Sequence, residues 1–231
     1  RGTRNQIEIA EAQLCQARYL LLKTRFDEAT SKLNSAMPIF EEEKRISSLA
    51  KCHSLKAILL DRISNTDEAI IHQRISLNLY TKAKDTQGQI NTLTNLALDF
   101  LDIGQNDSAL FYLVKLKSFE DKMNKTSKYF MHQNFGHYYF NVRDFNPAIA
   151  SYNQALTIAE NERMIDSKAT CLMLIAEVYI STKNYVKAEQ LLNESIVLAK
   201  ENKLYVIEDT AQAIGANYKF ANGNVLKAGT I

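Results

Sequence analysis

Four histidines and three cysteines are the side chains of this 231-residue chain best suited to hold a metal or attack a substrate. Two of the histidines, His132 and His137, stand five apart. Ligands on one helical face stand four apart, and no HExxH accompanies the pair. Cys15, Cys52 and Cys171 are odd in number and show no CxxC spacing. They predict neither a zinc site nor a disulfide framework, and they leave the compartment open. Phosphate cradles need clustered glycines, whereas Gly88, Gly104, Gly136, Gly215 and Gly223 each stand alone. No GxGxxG, GxxxxGK[ST] or GxSxG occurs. The run Glu41-Glu42-Glu43 followed by Lys44-Arg45 reads as a solvated helix connection rather than a catalytic carboxylate pair. No constellation for catalysis emerges, so the expectation is a non-enzyme without cofactor or metal.

The stretch FGHYYFNVRDFNPAIASYNQALTIAEN, residues 135–161, explains where such residues would be positioned. It carries a small residue (Gly136), an aromatic three later (Tyr139), then Ala148, Tyr152 and Ala155. Forward by 40 residues the pattern returns as Ala176, Tyr179, Ala188, Leu192 and Ser195. Backward by 39 it reads Ala97, Phe100, Ala109, Leu113 and Leu116. Earlier copies hold Ala57, Leu60 and Ala69, then Ala17, Leu20, Ala29, Leu33 and Ala36. A last copy begins at Gly215 and Tyr218, with Ala228 one residue late. Such a period marks an array of supersecondary units. The expected division is 7–46, 47–86, 87–125, 126–165 and 166–204, with a partial sixth unit at 205–231.

Each unit reads as two helices. Apolar residues recur at helical spacing, as in Leu172, Ile175, Ala176 and Tyr179 of a first helix A, then Leu191, Leu192, Ile196 and Ala199 of a second, B. The small residues sit where two helices approach too closely for a larger side chain, and the residue three later fills the space beside them. The cysteines fall on helix-A positions that other units fill with apolar or small residues, which predicts buried thiols. Asp27, Asp67, Asp107 and Asn146 precede the helix-B alanine by two and are expected N-caps. Pro147 then falls at the first helical position, Asn184 is a candidate start for the fifth helix B, and Pro38 is expected to end or bend the first.

Composition agrees. Only 7 Gly and 2 Pro punctuate the chain, as short-turned helices require, and 46% hydrophobic residues suffice for a core. A net charge of +2 argues against a nucleic-acid surface. No apolar run approaches the roughly 18–20 residues of a membrane helix. The start at Arg1 and the stop within a unit read as a domain cut from a larger protein.

The pattern of small, aromatic and alanine positions resembles the tetratricopeptide repeat, in the long-period form of kinesin light chains and many bacterial regulators. The resemblance covers nearly the whole chain and implies an all-α superhelix. The early tryptophan of the family is missing, its place held by Gln13, His53, Leu93, His132, Leu172 and Ala211. Gln16 and Lys56 are polar where later units carry Leu96, Phe135, Ile175 and Ile214. A polar first unit also suits a cap.

The family places ligand contacts on helix A, along an inner groove. Mapped onto this sequence, the implied contacts are Arg18, Arg62, Asn91, Asn95, Asp102, Phe130, Gln133, Asn134, His137, Asn141 and Glu177. Ser54, Asp61, Thr94, Phe140, Met173, Gln212 and Lys219 fall on the same positions. Asn95 and Asn134 occupy one position in consecutive units, and similar proteins use an asparagine there to bond a peptide backbone. The alternative for both is a bond between neighbouring helices. Phe130 and Phe140 either meet a ligand or pack between helices, and His137 is either a ligand contact or a solvated polar residue. The basic members of a chaperone carboxylate clamp are missing, so a chaperone tail is not the expected ligand.

The resemblance implies a protein or peptide partner. Two roles are open: a scaffold that binds its partner in the groove, or a sensory module of a larger bacterial signalling protein, such as a membrane-anchored transcriptional regulator or a histidine kinase with an attached effector. The second role would place the domain in the cytoplasm or the periplasm. Neither nucleic acid nor membrane is an expected partner of this segment.

Overall fold

The computed structural model describes residues 2–203 and the short segments 217–219 and 225–227. Ten α-helices follow one another: α1 (Gly2–Leu22), α2 (Phe26–Glu42), α3 (Ile46–Arg62), α4 (Thr66–Lys82), α5 (Thr86–Asp102), α6 (Asn106–Lys117), α7 (Lys125–Asn141), α8 (Phe145–Asn161), α9 (Ile165–Ser181) and α10 (Tyr185–Glu201). Consecutive helices pack antiparallel as A–B pairs, the α-α solenoid arrangement. From α2 to α5, helix and turn together recur every 20 residues. The rhythm slips once, because α6 stops at Lys117 and a 3-10 turn (Glu120–Lys122) leads into α7.

The turns share one geometry. The middle residue of each three-residue connection has positive φ: Thr24, Lys44, Ser64, Lys84, Gly104, Arg143, Arg163 and Lys183. The flanking bonds are those of a Schellman cap. The amide of Arg25 donates to the carbonyl of Leu20 and that of Thr24 to Leu21, and the same pair recurs at Arg45/Lys44 and Gln105/Gly104. These bonds absorb helix-end carbonyls that no intrahelical donor reaches.

The caps differ from the sequence expectation. Asp27, Asp67, Asp107 and Asn146 are the second residues of their helices, not the caps. The preceding turn ends two residues earlier than the alanine spacing implies, at Arg25, Asn65, Gln105 and Asp144. Near a helix N-terminus the three carboxylates still complement the dipole. Side-chain caps come instead from Asp85 to Gly88 N, Asn124 to Ser127 N and Asn184 to Lys187 N. Pro147 is the third helical residue, still within the turn whose amides lack acceptors. Pro38 does not end α2, which runs on to Glu42.

The chain divides into two compact units, residues 1–162 and 163–231. In the first, the small positions Ala17, Ala57, Ala97 and the helix-B alanines Ala29, Ala69, Ala109 and Ala148 are fully buried. Gly136 goes further: a Cβ there would lie 2.3 Å from the Tyr152 ring. Gly88 meets the Tyr80 ring in the same way, at 2.4 Å. One core cluster centres on Leu14, Leu33, Phe40 and Leu55, another on Ile90, Leu93, Leu113 and Met131. In the second unit, Leu172, Ile175 and Ala176 of α9 and Ala188 and Ala199 of α10 are buried. Ser195 Oγ donates to the carbonyl of Ala169, as Ser76 Oγ does to Ala50. Cys52 and Cys171 are buried as expected, but Cys15 is exposed, because it lies on the side of α1 opposite Leu14 and Ala17.

The span expected to hold a partial sixth unit, 205–231, falls mostly outside the described residues. Within it, β1 (Asn217–Lys219) pairs antiparallel with β2 (Val225–Lys227). Tyr218 and Lys219, expected on a helix A, therefore lie in a strand. The dipeptide Asn222-Gly223 between them in sequence is a hairpin signal that helical periodicity ignores.

Candidate binding face

Helix A of the first unit is α1, α3, α5 and α7 in turn, and the mapped residues lie on these four helices, apart from Met173 and Glu177 on α9 and Gln212 and Lys219 beyond α10. Arg18, Arg62, Asn91, Asp102, Phe130 and Asn141 are exposed, while Asn95, Gln133 and His137 are half-buried. The structure ties several of them to α5 and α7. Asn134 is buried, and its Nδ2 donates to the Thr94 carbonyl at 3.0 Å. Asn141 Nδ2 donates to the Leu101 carbonyl at 3.3 Å and lies 3.5 Å from Asn106 Oδ1. Both amides thus join helices. Asn91 accepts from Gln87 Nε2 at 2.8 Å along α5. No hydrogen bond engages Asn95, the counterpart of Asn134, among the described residues.

The aromatic residues divide similarly. Phe140 packs against Phe145 of α8, with ring centroids 6.1 Å apart. Phe130 remains 43% exposed, braced edge-on by Tyr129. His137 is not simply solvated: Tyr152 Oη lies 3.1 Å from its Nδ1, and burial lowers its pKa. Gln212 lies outside the described residues. In the second unit, Thr170, Met173, Leu174, Glu177, Ile180 and Leu192 line a shallow apolar pocket with Glu177 as its one charge.

Three features were missed by the sequence mapping. His53 and His72 face each other with their Nδ1 atoms 2.8 Å apart, joining α3 to α4. Burial and the neighbouring His72 and Lys56 lower the His53 pKa to about 4. The amide of Gln73 is fully buried without a partner, at the place of Leu33, Leu113, Tyr152 and Leu192 in the other helices B. Asp99 is buried on α5, where α3 and α9 carry Leu59 and Val178. Burial first, then the charges of Asp61 and Asp102, push its carboxyl up to about 8. For Gln73 and Asp99 the signal was a polar residue at a position that other units fill with apolar or aromatic residues, whereas the places of His53 and His72 are polar in other units too and gave no such signal.

Burial pushes the Cys52 thiol up to about 12, which keeps it from being a thiolate nucleophile. Among the described residues no group of three or more histidine, cysteine or carboxylate side chains is placed to hold a metal ion. No helix among them is long and apolar enough to cross a membrane.

The family model described as tetratricopeptide repeat matches residues 131–162, from within α7 to the end of α8. The matched stretch is one tetratricopeptide repeat, and the helix pairs around it have the tetratricopeptide-repeat fold. A search of curated proteins returned no match. Among solved structures, the array is similar to a Podosopora anserina kinesin light chain with nearly identical TPR-like repeats. That likeness has TM-score 0.68 and 15% identity, covering 84% of this chain and 95% of that one. It is also similar to a signal transduction ATPase with a tetratricopeptide repeat sensor from Pyrococcus horikoshii, with TM-score 0.74 and 18% identity. There the likeness covers 86% of the array and 31% of the larger chain. A Rap protein complexed with competence and sporulation factor gives TM-score 0.69 at 17% identity, over 83% of the array and 54% of the Rap chain. At these identities the likeness establishes the fold.

Proposed function

We propose that this array is a non-catalytic interaction module that binds a peptide or partner protein on the helix-A face of its first unit, carried by five complete repeats over residues 7–204. The observation behind this reading is the contrast between Asn95 and Asn134. Equivalent in position, the Asn134 amide is bonded to the neighbouring helix, and the Asn95 amide, half-buried on α5, has no hydrogen-bond partner among the described residues. A free amide that both donates and accepts suits an extended backbone, and Phe130 adds apolar surface on the neighbouring helix. Arg18, Arg62, Asn91, Asp102 and Gln133 supply mixed polarity around them. The Rap structure complexed with competence and sporulation factor supports the same use of the fold.

Immobilised protein is to be incubated with host extract and the retained partner identified. The Asn95→Ala/Phe130→Ala double variant should lose it while keeping the parent circular dichroism spectrum. Asn134→Ala is unsuitable, because it breaks a helix–helix bond. Undiminished retention by the double variant would refute the assignment of this face.

A second reading is a sensory domain of a larger signalling protein, favoured by the repeat sensor of the Pyrococcus ATPase. A small molecule or peptide that raises Tm would support it, since ligands stabilise the state they bind.

A further inference from the structure

His53 of α3 and His72 of α4 meet with their Nδ1 atoms 2.8 Å apart. The ring centroids lie 5.0 Å apart, the length that two ring radii and the nitrogen gap make in a straight line. The nitrogens therefore meet head-on. Their lone pairs do not converge on a third point, as those of two ligands to one metal ion would. Such a contact needs one Nδ1–H and one bare Nδ1. In the neutral pair one ring is the Nδ1–H tautomer and donates, and the other is the Nε2–H tautomer and accepts.

The seam around this bond is short of apolar contact. His53 is buried and His72 half-buried. Gln73, next to His72 in sequence, is fully buried with neither end of its amide partnered. The third repeat fills the same three places with Leu93, Tyr112 and Leu113, which belong to or pack against one apolar cluster. Polar groups buried in the α3–α4 seam lower the cost of parting it. The charged groups that act on the pair are Lys56 of α3 and Glu68 of α4. None comes from α1, α2 or α5, which also pack on these two helices. Lys56 opposes a proton on either ring, and Glu68, held by Asn65 Nδ2 at 2.9 Å, favours one on His72.

We propose that His53 and His72 form an acid-released joint, at which protonation parts α3 from α4 and opens the array at its second repeat while the other pairs stay folded. A first proton keeps an N–H···N bond but puts a charge where burial and Lys56 oppose it. A second removes the acceptor, and two N–H groups then confront each other. In the opened pair each ring takes up its proton near the ordinary value of 6.5. The closed joint is therefore favoured above about 6.5 and loses that advantage as pH falls toward 4, where His53 protonates in place. Opening takes up as many as two protons, so the opened population should grow by up to about a hundredfold per pH unit within that window. A repeat array permits such a local event, because each pair is held by its immediate neighbours alone.

The test is amide hydrogen exchange of the whole chain at pH 7 and pH 5, read by mass spectrometry and corrected for the pH dependence of intrinsic exchange. Peptides of α3 and α4 should lose protection at least about tenfold more than those of α1, α2, α9 and α10, which hold no histidine. His53→Leu/His72→Tyr installs the residues of the third repeat and should abolish that excess. Should this variant misfold, His72→Gln alone should reduce the excess, since one titrating ring remains. Equal loss of protection in all these helices overturns the joint, because the array then yields as a whole. An excess that persists undiminished in the variants overturns it too. Nitrogen-15 correlation spectra of the imidazoles at pH 7.5 give a separate check: one Nδ1–H and one Nε2–H ring are expected, and two Nε2–H rings would rule out the bond on which the joint depends.

Discussion

Asp99 and His53 respond to pH with opposite sign. The folded-state carboxyl of Asp99 titrates near 8, against an ordinary value of 3.8, so the folded chain holds a proton that the unfolded chain releases. Its contribution is fully present below about 4 and is lost as pH rises through 8. Asp99→Asn should therefore raise stability at pH 8, by on the order of a few kcal/mol, with little gain at pH 4, as read from urea midpoints at the two values. His53 is lowered to about 4 from 6.5, so the unfolded chain binds the proton first. Stability is intact above about 6.5 and falls as pH drops toward 4. His53→Leu, which installs the residue found at Leu93 and Leu172, should flatten that acid loss in melting curves recorded between pH 4 and 7. If His53→Leu leaves the profile unchanged, the histidine pair is not what titrates.

At the scale of elements, the glycine–tyrosine contacts and the turns carry the testable energetics. Gly136→Ala forces a methyl into the Tyr152 ring and should cost about 1–3 kcal/mol. Adding Tyr152→Leu should restore much of that loss, because Ala97 with Leu113 is the pairing the third repeat already uses. A double-mutant cycle without coupling would refute the contact. Gly104, at φ 72° with open space around it, should tolerate alanine only at the backbone cost of about 1 kcal/mol. Lys44→Gly should move stability the other way, since its side chain occupies the same strained region at φ 52°. Most of this architecture was legible in the sequence, because Ala17, Ala57, Ala97, Gly136 and Ala176 are demanded by interhelical distance and so repeat. The caps were read two residues late, because nothing in the spacing of Asp27 or Asp67 reveals where the preceding Schellman turn ends. The partners of Asn134 and Asn141 were equally hidden. An amide that bonds a helix carbonyl and one that awaits a ligand have the same letter.

For the molecule as a whole, the division at residues 162 and 163 falls in a turn, and each part buries its own apolar contacts. Residues 1–162 expressed alone should show a helical spectrum and a cooperative melt, as repeat arrays gain stability from neighbouring pairs rather than from distant ones. A fragment that stays unfolded would show that this stability depends on the remainder of the chain. The candidate face lies almost wholly on this fragment, so it should also retain any partner that depends on Asn95 and Phe130.

The near-identical turns have a consequence for how such a chain can change length. Residues 46–85 begin and end at the same structural phase, so excising them would splice α2 to α5 through a connection of unaltered shape. Copying them would lengthen the array by one pair with no new joint to invent. The irregular step after Lys117 is the one place in the first unit where cut and paste would leave a mismatched seam. The spacing thus leaves the array open to growth or loss by whole pairs everywhere in the first unit but at that step.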